Sequence, residues 1–220
     1  MRAWFRNNGL SATLFGLFLI SFVGQIFTGW RAHAADLGLH GLPPATLLAY
    51  LQSGHFLSAT FENWESEFLQ MAVYVLLTAL LVQKGSPESR KPGQSAPEDE
   101  DPATRRDAPD APWPVHRGGL LLALYSRSLS IALIGLFLAS FVLHLAGSTR
   151  RANEEAVRHQ RPVQTMTGTL AEPEFWYESF QNWQSEFLSM GVLIVLGIYL
   201  RQRGSPESKP VAAPHGETSH

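Results

Sequence analysis

The feature that most constrains this chain is a repeat. Residues 61–71 read F-E-N-W-E-S-E-F-L-Q-M and residues 180–190 read F-Q-N-W-Q-S-E-F-L-S-M, an offset of 119 residues. Each copy runs into an apolar stretch that closes on the same pentapeptide, G-S-P-E-S, at residues 85–89 and again at 204–208. Aligned without gaps, residues 10–89 and 129–208 are identical at about 33 of 80 positions. Whatever one half folds into, the other must be able to fold into as well, so the architecture has to be built from two equivalent parts.

The distribution of apolar residues says what those parts are. Mean hydropathy is close to zero at -0.03, but the average hides four apolar blocks with the charges gathered between them, which is the pattern of a small multi-span membrane protein. Residues 10–30 carry no formal charge, and about 21 residues at about 1.5 Å each cross a hydrocarbon core of roughly 30 Å. Arg2 and Arg6 before this block and Ala32-His33-Ala34 after it also satisfy the outline of a cleaved secretory signal. The repeat favours a retained helix, because G-L-F-L and S-F-V of the first block return at 135–138 and 140–142, where the segment is internal. Residues 129–147 are the equivalent third block. In the second and fourth, Phe61, Trp64, Phe68, Met71 and Val75 recur as Phe180, Trp183, Phe187, Met190 and Ile194 at alternating spacings of three and four. That spacing predicts one continuous helix of about 28 residues per copy, amphipathic first and apolar later, ending at Val82 and at Leu200.

Between the blocks the chain changes character. Residues 31–54 read as a mixed loop broken at Pro43-Pro44, with a short interfacial helix over 45–52, and residues 148–173 as a charged loop with a short helix around Glu154, Glu155 and Arg158. Gly85 and Gly204 suit the left-handed position that ends a helix, following the basic residues Lys84, Arg201 and Arg203; Ser86 or Ser205 then caps a new turn begun by Pro87 or Pro206. Residues 91–118 are rich in Pro, Asp, Glu, Ala and Arg and too poor in apolar side chains to repay ordering. The expected organisation is a first two-span repeat at 1–90, a disordered cytoplasmic linker at 91–118, a second two-span repeat at 119–209 and a flexible tail at 210–220, with 120–124 an interfacial lead-in.

The expected fold is therefore all-α: an integral membrane four-helix bundle made of two tandem helical hairpins in parallel orientation. Lys and Arg flank the cytoplasmic ends of spans, and Arg2, Arg6, Lys84, Arg90, Lys91, Arg117, Arg127, Arg201, Arg203 and Lys209 all fall on one side of a four-span model. Arg31, Arg150, Arg151, Arg158 and Arg161 fall on the other. The imbalance predicts that both termini are cytoplasmic.

By helix rise, Glu67 and Glu186 lie about 15 residues, or roughly 22 Å, before the cytoplasmic ends of their helices, inside the outer leaflet. Ionisable residues at such depth face a bundle interior or a wet cavity. Asn63, Ser66 and Glu67, repeated as Asn182, Ser185 and Glu186, form the candidate polar membrane cluster. Phe61, Trp64, Phe68, Phe180, Trp183 and Phe187 are the candidate packing and interfacial aromatics. Two functions follow. In one, the polar residues bond helix to helix in a structural or regulatory protein that binds a partner. In the other, the paired glutamates share a proton or an ion in a small proton or cation transporter. An enzyme is not expected, since no nucleophile, base and orienter can be assembled from the matched positions. No cofactor and no metal are expected: the chain has no cysteine, His144 alone falls within a span against Gln25 in the other copy, and His40 and His159 match but sit in dissimilar loops. The net charge of -2 offers nothing to nucleic acid. The expected partners are the lipid bilayer and a protein.

The doubled F-x-N-W-x-S-E-F-L-x-M, each followed by G-S-P-E-S, resembles a family of uncharacterised bacterial membrane proteins known only as a domain of unknown function. The resemblance covers nearly the whole chain except the linker and tail. It implies a bacterial inner-membrane location and brings no activity, substrate or catalytic residue with it.

Overall fold

A computed structural model describes residues 2–91, 93 and 96–218. Linker positions 92, 94 and 95, tail positions 219 and 220 and the side chain of Arg2, which entered the charge count, lie outside the described residues. The described chain is all-helical, with no strand. In order it forms α1 (Arg2–Leu39), α2 (Leu47–Leu51), α3 (Gly54–Leu80), two 3-10 turns (Pro97–Asp99 and Pro102–Arg105), α4 (Trp113–Arg117), α5 (Gly119–Tyr125), α6 (Ser128–Arg158), α7 (Met166–Ala171) and α8 (Pro173–Tyr199). The ends of α1 and α6, the starts of α2 and α7, and both bounds of α3 and α8 keep the register of 119 residues: Leu39 with Arg158, Leu47 with Met166, Gly54 with Pro173, Leu80 with Tyr199.

Helices α1 and α6 are long and apolar enough to cross a membrane by length and composition. They overshoot it, because 38 and 31 residues correspond to about 57 and 46 Å against a core of roughly 30 Å. Here the sequence reading was too short: residues expected to begin loops at 31 and 148 continue the helices to Leu39 and Arg158. Charge ends an apolar run without ending a helix. Arg150 and Glu154 pair four residues apart at 3.0 Å on the polar extension, a spacing that supports a helix. Helices α3 and α8 are 27 residues each, but their first halves carry Glu62, Glu65 and Glu67 or Glu174, Glu178 and Glu186.

The chain divides into two compact units, residues 1–62 with 142–175 and residues 63–141 with 176–220. In the first, Leu37, Tyr50, Phe56, Leu145 and Phe175 are buried. Helix α1 admits Tyr50 only because position 29 is glycine, where a Cβ would overlap the tyrosine hydroxyl. Trp30 anchors the loop before α2 by donating Nε1–H to the Ala45 carbonyl at 2.7 Å. Thr46 caps α2 and Thr165 caps α7, each accepting a backbone N–H at 3.2 Å, and these two threonines are matched in the repeat. The first turns of α3 lie directly on α6. A Cβ at Gly54 would overlap the Arg151 backbone and one at Gly147 the Ser58 backbone, and Ser58 and Ser148 share a buried 2.8 Å hydrogen bond. Small residues let the two backbones approach.

In the second unit, α3 and α8 are joined by side chains from Gln70 and Glu65, described below. Beyond α3 the chain turns at Gly85, and beyond α8 at Gly204, with φ of 87° and 86°. The left-handed glycines were expected; their place was not, since the helices end at Leu80 and Tyr199 and the glycine sits in a following turn. In that turn Ser86 accepts from Glu88 N–H at 3.1 Å and Ser89 accepts from Gln83 N–H at 2.9 Å. Ser205 and Ser208 repeat both bonds at 3.2 and 2.9 Å. The pentapeptide is thus a self-bonded turn in each copy. After it, Lys209 is buried with its ammonium donating to the carbonyls of Pro214, His215 and Glu217 at 2.8–3.3 Å.

Candidate functional site

The polar residues of α3 and α8 in the second unit are arranged differently from the matched pairs that the repeat singles out. Asn63 and Glu67 are exposed. Ser66 is buried and donates to the Asn63 carbonyl at 2.8 Å, within its own helix. Asn182 donates to the Glu178 carbonyl at 3.3 Å, and the exposed Ser185 donates to the Asn182 carbonyl at 2.8 Å. Glu67 and Glu186 are near enough to interact electrostatically.

What lies between the helices is Glu65. It is fully buried, and its Oε1 accepts from Ser179 Oγ at 3.0 Å and from Trp183 Nε1 at 3.2 Å. One turn on, Gln70 Nε2 donates to the Glu186 carbonyl at 2.9 Å and to Ser189 Oγ at 3.3 Å. Ser179 and Trp183 come from the second copy of the repeat, while the residue matched to Glu65 is Gln184, which is exposed. The repeat is therefore used asymmetrically. A search for residues identical in both copies passes over Glu65; the signal for it was the substitution of Glu62 and Glu65 by Gln181 and Gln184 inside an otherwise repeated motif.

Among the aromatics, Phe61, Trp64, Phe68 and Trp183 are half-buried, whereas Phe180 and Phe187 are exposed. Trp183 stands edge-on to Phe180 and to Phe137, at 5.4 and 6.3 Å between centroids. In the first unit His144 is fully buried and stacks on Phe175 at 4.8 Å.

A second cluster lies wholly in the first unit. A cavity of about 230 Å³ is lined by His33 and Asp36 of α1, His40 in the turn after it, His55 of α3, Arg151, Glu154, Glu155 and Arg158 at the end of α6, and His159 in the turn after that. His33 and His55 are tilted rings 5.4 Å apart, with Tyr50 5.7 and 6.1 Å from them. Glu154 accepts from the Gly54 N–H at 3.2 Å and from Arg150 at 3.0 Å. Arg158 reaches Asp36 at 4.0 Å, and a His40 ring nitrogen meets the Asp36 carbonyl at 2.9 Å. Burial, then the neighbouring His33 and Arg151, push the His55 imidazole below its ordinary pKa, against a smaller opposing pull from Asp36 and Glu154. The sequence reading missed this gathering because it ended the helices at 30 and 147. With α1 continued, His33, Asp36 and His40 fall on one face at spacings of three and four, and Asp36 and His40 are matched by Glu155 and His159 across the repeat.

One family model, described as a domain of unknown function, matches residues 1–220. No curated protein matches the chain, and no solved structure does.

Proposed function

The chain belongs to that family, DUF6766, and from this premise we propose that it is a multi-pass protein of the bacterial inner membrane with a structural or regulatory, partner-binding role. The reading comprises four spans, α1, α3, α6 and α8, as two hairpins of one orientation with both termini cytoplasmic, and it assigns no catalytic step. The observation that carries the role is the buried Glu65, whose carboxylate is engaged by Ser179 and Trp183 of the facing helix. A carboxylate held by two donors between helices fixes their register, whereas a transported ion needs a ligand it can take and leave.

One observation favours the second reading, a small proton or cation transporter: Glu67 and Glu186, matched across the repeat, interact electrostatically. Proteoliposomes separate the two. The scaffold reading predicts no proton or cation flux above empty vesicles, and a Glu67→Gln/Glu186→Gln double variant as heat-stable as wild type. Flux in wild type that the double variant abolishes while remaining folded would overturn it in favour of transport.

A further inference from the structure

The two G-S-P-E-S turns, both in the second unit, share one geometry and differ in what covers them. Gly85 and Gly204 have φ of 87° and 86°. The next residue closes each turn in the same way, Ser86 N–H donating to the Gln83 carbonyl and Ser205 N–H to the Gln202 carbonyl, both at 3.2 Å. Yet Gly85, Ser86 and Pro87 are buried, whereas Gly204 and Pro206 are exposed. Residues 213–218 of the chain itself cover the first turn. The Gly85 N–H donates to Thr218 Oγ1 at 2.9 Å in a buried bond, and the His215 carbonyl oxygen stands 2.8 Å from where a Cβ on Gly85 would be. Only glycine admits that oxygen. The covering segment is itself a compact turn: Glu217 N–H bonds the Pro214 carbonyl at 3.2 Å, Lys209 gathers the carbonyls of Pro214, His215 and Glu217, and Arg201 donates to the Ala213 carbonyl at 3.0 Å.

At the second turn nothing stands within 4 Å of the Cβ position on Gly204. Where a docked segment would lie there is a cavity of about 530 Å³, bounded by residues 202–205 with Pro210 and Val211. We propose that this turn is a docking site for a short peptide turn of a partner protein, one that lays a carbonyl over Gly204 and brings a Ser or Thr hydroxyl to its N–H. The chemistry of the occupant is read from the first copy, where the same backbone already holds such a segment through His215 and Thr218. A main-chain N–H is an obligatory donor that an incoming oxygen can satisfy, and the missing side chain lets that oxygen approach. Charge agrees, because a cation precedes the glycine in both copies, Lys84 and Arg203, and the segment seated on the first carries Glu217. The chain's own segment, tethered to Arg201 and Lys209, is committed to Gly85 and leaves the Gly204 turn open. The inference supplies a surface for the partner-binding reading and rests on it. Peptide binding and ion flux are measured separately, so failure of the docking site is distinguishable from failure of that reading.

The probe is a synthetic peptide of residues 209–220, labelled at its amino terminus and titrated with the full chain in detergent by fluorescence polarisation. One peptide per chain is expected to bind saturably. Gly204→Ala puts a Cβ where the incoming carbonyl would lie and should weaken binding by about tenfold or more. Thr218→Val in the peptide removes the accepting hydroxyl and should weaken it by roughly threefold or more. No saturable binding by the full chain, or unchanged affinity with either substitution, would overturn the proposal. The place of binding is read on the wild-type chain, which requires no variant to fold. A peptide with a photoreactive benzophenone side chain at the exposed Ala212 position is expected to cross-link to residues 202–205 or 210–211, mapped by mass spectrometry. Cross-links confined to residues 83–86 would mean exchange with the chain's own segment at the first turn and would contradict a second site.

Discussion

At the scale of single residues, Glu65 should be the most sensitive acid in the chain. Replacing it by alanine takes the acceptor from the buried Ser179 hydroxyl, at about 1–3 kcal/mol, and from the half-buried Trp183 indole N–H at a smaller cost. Glutamine keeps an acceptor oxygen and should lose far less. The matched exposed residue gives the control: Gln184→Glu should shift stability by no more than about 0.5 kcal/mol. Thermal unfolding of the three variants in detergent reads this directly. His55 makes a separate prediction about pH. Its folded-state pKa lies below the ordinary value of about 6.5, so the unfolded chain binds its proton first as pH falls. Its contribution is present in full above about pH 6.5 and is lost as pH falls through the depressed folded value. A melting temperature that declines on acidification in wild type and declines less in His55→Asn is expected. The legibility of these sites differs for a physical reason. Identity between copies reports what both halves share, so it singles out Ser66 and Glu186; Glu65 lies where the halves differ, and position alone could not show which differing residue is buried.

At the scale of elements, the crossing of α3 on α6 rests on two glycines and two serines. A Cβ at Gly54 or Gly147 meets backbone and not a movable side chain, so Gly147→Val should separate the helices and cost more than the ~1–3 kcal/mol typical of overpacking. Gly135 and Gly191, with open space where a Cβ would stand, make the contrasting case. Alanine at either should be neutral or stabilising by about 0.4–1 kcal/mol. Comparing melting temperatures of Gly147→Val, Gly135→Ala and Gly191→Ala tests whether close backbone approach is confined to the crossing. Helix existence was readable from the spacing of Phe61, Trp64, Phe68 and Met71, and α2 was expected nearly where it stands. Helix ends were not readable. Arg31, His33 and Asp36 end the apolar pattern of α1 eight or nine residues before they end its hydrogen bonding, because polarity marks the water boundary and backbone bonding does not depend on it. Losing those turns of α1 and α6 cost the sequence reading the whole histidine cavity.

At the scale of the molecule, the proposed two-hairpin topology makes a demand that neither half makes alone: every matched pair of positions must lie on the same side of the membrane. The absence of cysteine from the sequence makes each engineered thiol a unique label. Pro44 and Val163 are a matched, exposed pair in the connections after α1 and α6, and Lys84 and Arg203 are a matched, exposed pair in the turns after α3 and α8. The measurement is labelling of single-cysteine variants at these four positions with a membrane-impermeant maleimide on intact spheroplasts, then after permeabilisation. The two-hairpin account predicts that Pro44→Cys and Val163→Cys label from outside, whereas Lys84→Cys and Arg203→Cys label only once the membrane is opened. Opposite accessibility within either matched pair, or outside labelling at Lys84→Cys, would contradict it.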